Sequence, residues 1–180
     1  MPFFIIAILG VAALLFVEHV AAGEIRDDGT DNGTNDMNNQ ADANVNAVMA
    51  LIRDGESSDN YSALVGGGEF VDMTDHPYET GEFAGIRRAD GRLTTAAGGY
   101  QITVTTWRDI GGVARWGGFN PVQQHEAALF LAARRGALDA MRRGDMETTV
   151  AKLRDEWEFF QKWPMSRVKS SFLNHGGVLA

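Results

Sequence analysis

Helix punctuation cuts the C-terminal third of this chain into short pieces, and that segmentation constrains the fold more than any other feature. Asn120-Pro121 pairs an N-cap with a proline at the first helical position, which predicts a helix from Val122 through Arg135, stopped by Gly136. Ala137 to Arg143 runs to Gly144. Asp145 then caps a longer helix with Val150, Leu153 and Trp157 on one face, ending near Pro164, and a last helix runs from about Met165 to just before Gly176. The middle of the chain is different. Val65-Gly66-Gly67-Gly68-Glu69-Phe70-Val71 and Thr94-Thr95-Ala96-Ala97-Gly98-Gly99-Tyr100-Gln101 are rich in glycine, which predicts short strands or a loose hairpin turning at Gly91 and at Gly98-Gly99. Glycine at this density lets backbone approach a ligand closely. The pattern describes an α+β fold, mainly helical, with a small β-hairpin lobe.

Ahead of the glycine-rich segment, Val45, Val48, Met49 and Ile52 fall at i, i+3, i+4 and i+7, one apolar stripe of a helix that Asp42 or Asn44 caps and Gly55 ends. Glu56 follows, within Asp54-Gly55-Glu56-Ser57-Ser58-Asp59-Asn60. A helix end facing a loop holds a carboxyl rigidly while leaving its tip accessible, as a general acid requires. The negative end of the helix dipole disfavours the ionised form and so helps keep Glu56 protonated. The competing reading of Gly-Glu-Ser after a helix is a simple cap. Trp107, Trp116, Phe130, Trp157 and Phe159 are expected in the core rather than as ligand platforms.

The N-terminus reads as an export or membrane segment. Phe3 to Val17 is uninterrupted apolar or small sequence, short of the ~20 residues that comfortably span a bilayer, and no Lys or Arg precedes it. Two routes fit: a signal peptide cut after Val20-Ala21-Ala22, or an uncleaved anchor with a weak grip, towards which the balance leans. Either delivers the body outward. Residues 24–43 are rich in Asp, Asn, Gly and Thr and are expected to be a disordered linker; no Glu follows at the spacing a calcium loop needs. The expected division is therefore a signal or anchor segment at 1–23, this linker, and a folded domain at 44–180. The formal net charge is −8, but positions 1 to 43 hold seven acids against one base, leaving 17 acids against 15 bases in the body. A near-neutral body without a basic run argues against a nucleic-acid binder and is compatible with an anionic polysaccharide as partner. No cysteine and four scattered histidines leave no metal site in view, and neither glycine cluster is followed by the Lys-Ser or Lys-Thr of a phosphate loop.

Taken together, Glu56-Ser57-Ser58-Asp59, Tyr61 with Val65-Gly66-Gly67, Phe70 with Asp72 and Asp75-His76-Pro77, Gly98 with Tyr100-Gln101, Trp107, Phe119 with Pro121, Arg135-Gly136-Ala137-Leu138, Arg143-Gly144-Asp145 and Trp157 keep the order of one family. Over roughly Val48 to Pro164 the chain resembles the bacteriophage lambda lysozyme family, endolysins that act as lytic transglycosylases on peptidoglycan. The resemblance implies a lysozyme-like fold with its cleft beside the β lobe, and a monomer working on glycan strands without a cofactor. It implies Glu56 as the catalytic residue and Ser57, Asp59, Tyr61, Gly67, Glu69, Tyr100 and Gln101 on the substrate side. Asp59, Glu69, Asp72 and Asp75 stay open as a second carboxylate, and His76 reads as structural. One departure stands out: where the family carries a Gly-rich Tyr-Gly-Gln segment after its last tryptophan, this chain has Phe159-Phe160-Gln161-Lys162-Trp163-Pro164, so part of the cleft floor is expected to be rebuilt. The leader joined to such a body resembles the signal-anchor-release endolysins, which implies a periplasmic enzyme held on the inner membrane through residues 3–22 before release. A hydrolytic muramidase and a non-catalytic wall-binding or virion module of the same fold are the alternatives.

Overall fold

A computed structural model describes residues 32–180, and the packing below lies within the compact unit Gly33–Ala180. The leader and the first part of the linker, with the expectations placed on them, lie outside the described residues.

The domain is organised around α1 (Asn32–Ser57). Its apolar stripe is real, and Ala47 and Leu51 are buried along with Val48, Met49 and Ile52, so this stretch is enclosed by core on more than one side. Two sequence expectations are corrected here. Residues 32–43 are helical rather than a disordered linker: each Asn or Asp costs a helix well under about 1 kcal/mol, while extending a helix already nucleated and packed gains one hydrogen bond per residue. Asn44 is consequently no N-cap. It is buried at mid-helix, where its side chain accepts from Gln40 Nε2 (3.0 Å) and Val178 N (2.8 Å) and donates to Arg142 O (3.0 Å), tying α1 to the C-terminus. The helix also continues past Gly55 to Ser57, so Gly55 is not its stop. That position is glycine because the Phe159 ring lies against it; an added Cβ would sit 2.5 Å from the ring.

The glycine-rich middle forms isolated bridges (Ala63 with Glu69, Leu64 with Ala97, Ala97 with Ile102) and one two-stranded antiparallel hairpin, β1 (Ile86–Arg87) and β2 (Leu93–Thr94), in register Ile86 with Thr94 and Arg87 with Leu93. Arg88 N donates to Arg92 O and Gly91 takes φ +82°, closing the turn where the sequence predicted one. Short helices escaped the sequence reading: α2 (Pro77–Thr80), α3 (Val104–Asp109) and α4 (Gly112–Trp116). His76 caps the first of these by accepting from Tyr78 N at Nδ1, which leaves Nε2 to donate to Ile102 O at 2.9 Å. It is thus a neutral, fully buried structural histidine.

The helical lobe follows its punctuation: α5 (Pro121–Arg134) capped by Asn120, α6 (Leu138–Arg143) ending at Gly144, α7 (Met146–Leu153) capped by Asp145, and α9 (Met165–Asn174). The long helix expected up to Pro164 is broken. It stops at Leu153 and resumes as α8 (Phe159–Lys162), because the Trp157 indole turns inward and donates to Tyr100 O at 3.1 Å. Gln124, fully buried on α5, joins the lobes: its Nε2 donates to Tyr61 O and Phe119 O, and its Oε1 accepts from Gly99 N at 2.8 Å. Of the five aromatics expected in the core, Trp107, Trp157 and Phe159 are buried, and Trp116 and Phe130 pack half-buried against one another. The result is the α+β architecture that the sequence predicted.

Candidate active site

A cleft of about 590 Å³ opens between the end of α1, the 63–66 segment, the β1–β2 hairpin and the Trp157–Trp163 segment. Its size suits a site that encloses part of a chain-like ligand. Glu56 stands in its wall, half-buried, one residue before the end of α1. Its Oε1 accepts a long hydrogen bond of 3.4 Å from Phe159 N. Burial raises the Glu56 carboxyl above the usual carboxylate range. The Phe159 N–H opposes that rise, the nearby charge of Glu158 adds to it, and Lys162 and Arg88 pull the other way.

Two further carboxylates line the cleft, and both are neutralised. Glu156 pairs with Arg135 at 2.7 Å; Glu158 pairs with Arg88 at 2.6 Å and Lys162 at 3.1 Å, which hold its carboxyl below the usual range. Among the described residues, Glu56 is the cleft carboxyl without a cationic partner. Its raised pKa favours the protonated form more than in an ordinary glutamate, so it can give a proton to a leaving group and take one back.

The backbone around Glu56 is unusually constrained. Ser58 (φ 55°), Asp59 (φ 63°) and Gln101 (φ 48°) are non-glycine residues in the left-handed region, at a cost of about 1 kcal/mol or more each. The folded surroundings hold them there. Ser57 Oγ donates to Gly99 O (2.9 Å) and accepts from Asn60 N (3.1 Å), and Arg53 grips Asp59 at 2.6 Å. Gln101 Nε2 donates to Gly98 O at 2.9 Å. Ser57 and Gln101, expected on the substrate side, do line the cleft, joined by Ser58 and Gly66.

The other expected residues lie elsewhere. Asp59 faces Arg53, Glu69 accepts from Asn60 Nδ2 at 2.7 Å, and Gly67 sits in an exposed turn; none lines the cleft. Asp72 and Asp75, the other candidates for a second carboxylate, bond to Thr74 and to the Trp107 indole respectively, also away from it. Tyr100 is a correction. The residue is 0 % exposed, and its hydroxyl lies 3.0 Å from Arg53 Nη1 and 2.7 Å from His125 Nδ1, so it is a core tyrosine rather than a substrate contact. Burial raises the Tyr100 phenol and lowers His125, to which the charge of Arg53 also contributes. Tyr61 packs edge-on against the same ring, with Arg53 beside both.

Sequence reasoning missed the opposite wall: Arg88 and Thr94 on the hairpin, Thr103, and Glu158, Lys162 and Trp163. The signal available was the departure at Phe159–Pro164, and three residues of that stretch, Phe159, Lys162 and Trp163, face the cleft. Among the described residues no group of three or more potential ligands could hold a metal ion, and no helix is long and apolar enough to cross a membrane.

Comparison with known proteins agrees with this geometry. The endolysin of Escherichia phage P2 is 33 % identical over 88 residues, 49 % of this chain and 53 % of that protein, so the chain spans about half the length of this relative. The solved structure of lysozyme from bacteriophage lambda superposes with a TM-score of 0.67 at 22 % identity, covering 77 % of this chain and 97 % of that one. The same lysozyme complexed with a chitohexasaccharide gives 0.65 at 24 % over the same shares. These two likenesses establish the lysozyme-like fold. The family model described as Endolysin matches residues 46–170, which include Glu56, the whole cleft and the helical lobe up to the middle of α9, and the chain belongs to the endolysin family.

Proposed function

We propose that the protein is a phage lysis enzyme that degrades peptidoglycan at the bond between N-acetylmuramic acid and N-acetylglucosamine, as a lytic transglycosylase. The observation that carries this reading is Glu56, a half-buried carboxyl of raised pKa in a glycan-sized cleft whose other acids are ion-paired. Family membership and the glycan bound by the similar lambda lysozyme support it. In the first half, Glu56 gives its proton to the glycosidic oxygen as the C1–O bond breaks. In the second, it takes the proton from the muramic C6 hydroxyl as that oxygen closes on C1, leaving a 1,6-anhydro sugar. One group serves in turn as acid and base, so no second carboxylate is required, unlike paired-carboxylate glycosidases. Mass spectrometry of muropeptides from digested murein tests the proposal. The expected product is anhydro-muramic acid; a reducing muramic end overturns it in favour of a hydrolytic muramidase, in which water replaces the C6 hydroxyl.

The proposal extends to delivery. The apolar Phe3–Val17 run supports export, with the body tethered to the inner membrane before release. Fractionation should recover full-length protein from membranes, and a processed N-terminus at Gly23 contradicts the tether.

A further inference from the structure

A second hollow of about 250 Å³ borders the cleft and shares Arg88, Thr94, Thr103 and Glu158 with it. Arg92 and the exposed Thr105 belong to this hollow and not to the cleft. The hairpin above it carries Arg87, Arg88 and Arg92 against Asp90 alone, a local excess of two positive charges on a chain of formal net charge −8. Opposite, the charge of Glu158 is matched by Lys162. The arginines are only loosely engaged. Arg88 reaches Glu158 at 2.6 Å with both side chains more than 40 % exposed, and Arg92 folds onto Asp90 in its own turn while its side chain stays 80 % exposed. Exposed pairs of this kind contribute about 0–1 kcal/mol, so an incoming carboxylate can displace them. Guanidinium groups receive carboxylates in a forked, two-bond geometry, and threonine hydroxyls supply further polar contacts.

We propose that this hollow is a subsite for the acidic stem peptide of murein. With the glycan strand lying past Glu56, the peptide carried on the lactyl group of muramic acid enters the threonine-lined hollow, and Arg92 and Arg88 receive its carboxylates. The assignment rests on the glycan-cleaving reading above. Its consequence is selectivity for strands that carry stems over strands stripped of them, which retain only the lactyl carboxylate.

The test compares full-length parent and Arg92→Ala protein on stem-bearing murein strands and on the same strands stripped by an amidase. On stem-bearing strands Arg92→Ala is expected to lower kcat/KM about three- to fivefold, the loss of a charge-assisted contact at an exposed site. On stripped strands it should stay within about twofold of the parent. Arg92→Lys should recover part of the difference and Arg92→Glu should deepen it. An equal fall on both substrates, or none on stem-bearing strands, overturns the subsite. In parallel, calorimetry with a stem-bearing disaccharide and Glu56→Gln protein should show binding weakened by the same factor in the Arg92→Ala background; unchanged binding also overturns it. A parent that binds this ligand through Arg92 but cleaves neither strand refutes the cleavage reading while leaving the subsite standing.

Discussion

Gly55→Ala sets two physical effects against each other one residue from the proposed catalytic acid. Helix propensity alone favours alanine by about 1 kcal/mol at a helical position. Against it stands the Phe159 ring, three atoms of which lie 2.5–2.8 Å from the new Cβ, where ordinary contact begins near 3.4 Å. The ring has little room to retreat, being buried with its centroid 4.0 Å from Phe160 and 5.1 Å from Trp163. Overpacking of this kind costs about 1–3 kcal/mol, so the net change is a destabilisation of up to about 2 kcal/mol. Activity should suffer far more. Phe159 also supplies the N–H that holds Glu56, and a misplacement of about 1 Å at a catalytic group costs on the order of a hundredfold. Urea unfolding followed by tryptophan fluorescence reads the first effect, and release of dye from labelled murein reads the second. Adding Phe159→Leu should restore part of both. A higher unfolding midpoint with undiminished activity for Gly55→Ala alone would refute this account of the Gly55–Phe159–Glu56 contact.

Further expectations follow from the same site and core. Because catalysis begins from protonated Glu56 and burial raises its pKa, the alkaline limb of kcat/KM should lie above the usual glutamate range. Glu158→Gln removes a negative charge and frees Arg88 and Lys162, so it should move that limb to lower pH; an upward move contradicts the electrostatics. The sign for stability is opposite to that of a paired carboxylate. With its folded pKa raised, Glu56 contributes stability below its unfolded value near 4.5, and that contribution is lost as pH rises through the folded value, so Glu56→Gln should be as stable as the parent or more so at neutral pH by thermal melting. His76→Ala removes a cap, takes one of two donors from Ile102 O, which keeps Ala97 N, and empties the space against the Phe119 ring, a loss of about 2–4 kcal/mol readable in urea melts. A loss below about 0.5 kcal/mol contradicts that role.

Much of the fold was legible because it is locally encoded. Asn120-Pro121, Asp145 and Gly144 act within their own turns, and the stripe at Val45–Ile52 depends on periodicity alone, so each survives into the structure. What failed depends on partners distant in sequence. Nothing near Asn32–Ala43 announces a helix, since its stability derives from the packed segment downstream and from Asn44 bonding to residues 98 and 134 positions away. Tyr100 was expected at the cleft because Tyr100-Gln101 matches a motif of the family; Gln101 does line it, whereas Arg53 and His125, brought in from two helices, hold the Tyr100 hydroxyl in the core. The site divides the same way. Glu56 and Gln101 were readable from chain order, whereas the Arg88–Glu158 pair of the opposite wall is assembled across a seventy-residue separation, and the departure at Phe159–Pro164 marks only one side of it.

The most direct measurement of the central claim is the rate at which Glu56→Gln protein releases soluble fragments from purified murein, at a pH where circular dichroism shows it folded. Glutamine keeps the shape of the side chain and can still accept from Phe159 N, but it carries no proton to give to the glycosidic oxygen. A loss of about a hundredfold or more, with the fold intact, is the predicted result. Fragment release at the parent rate would contradict the assignment of Glu56 as the acid and base of this cleft.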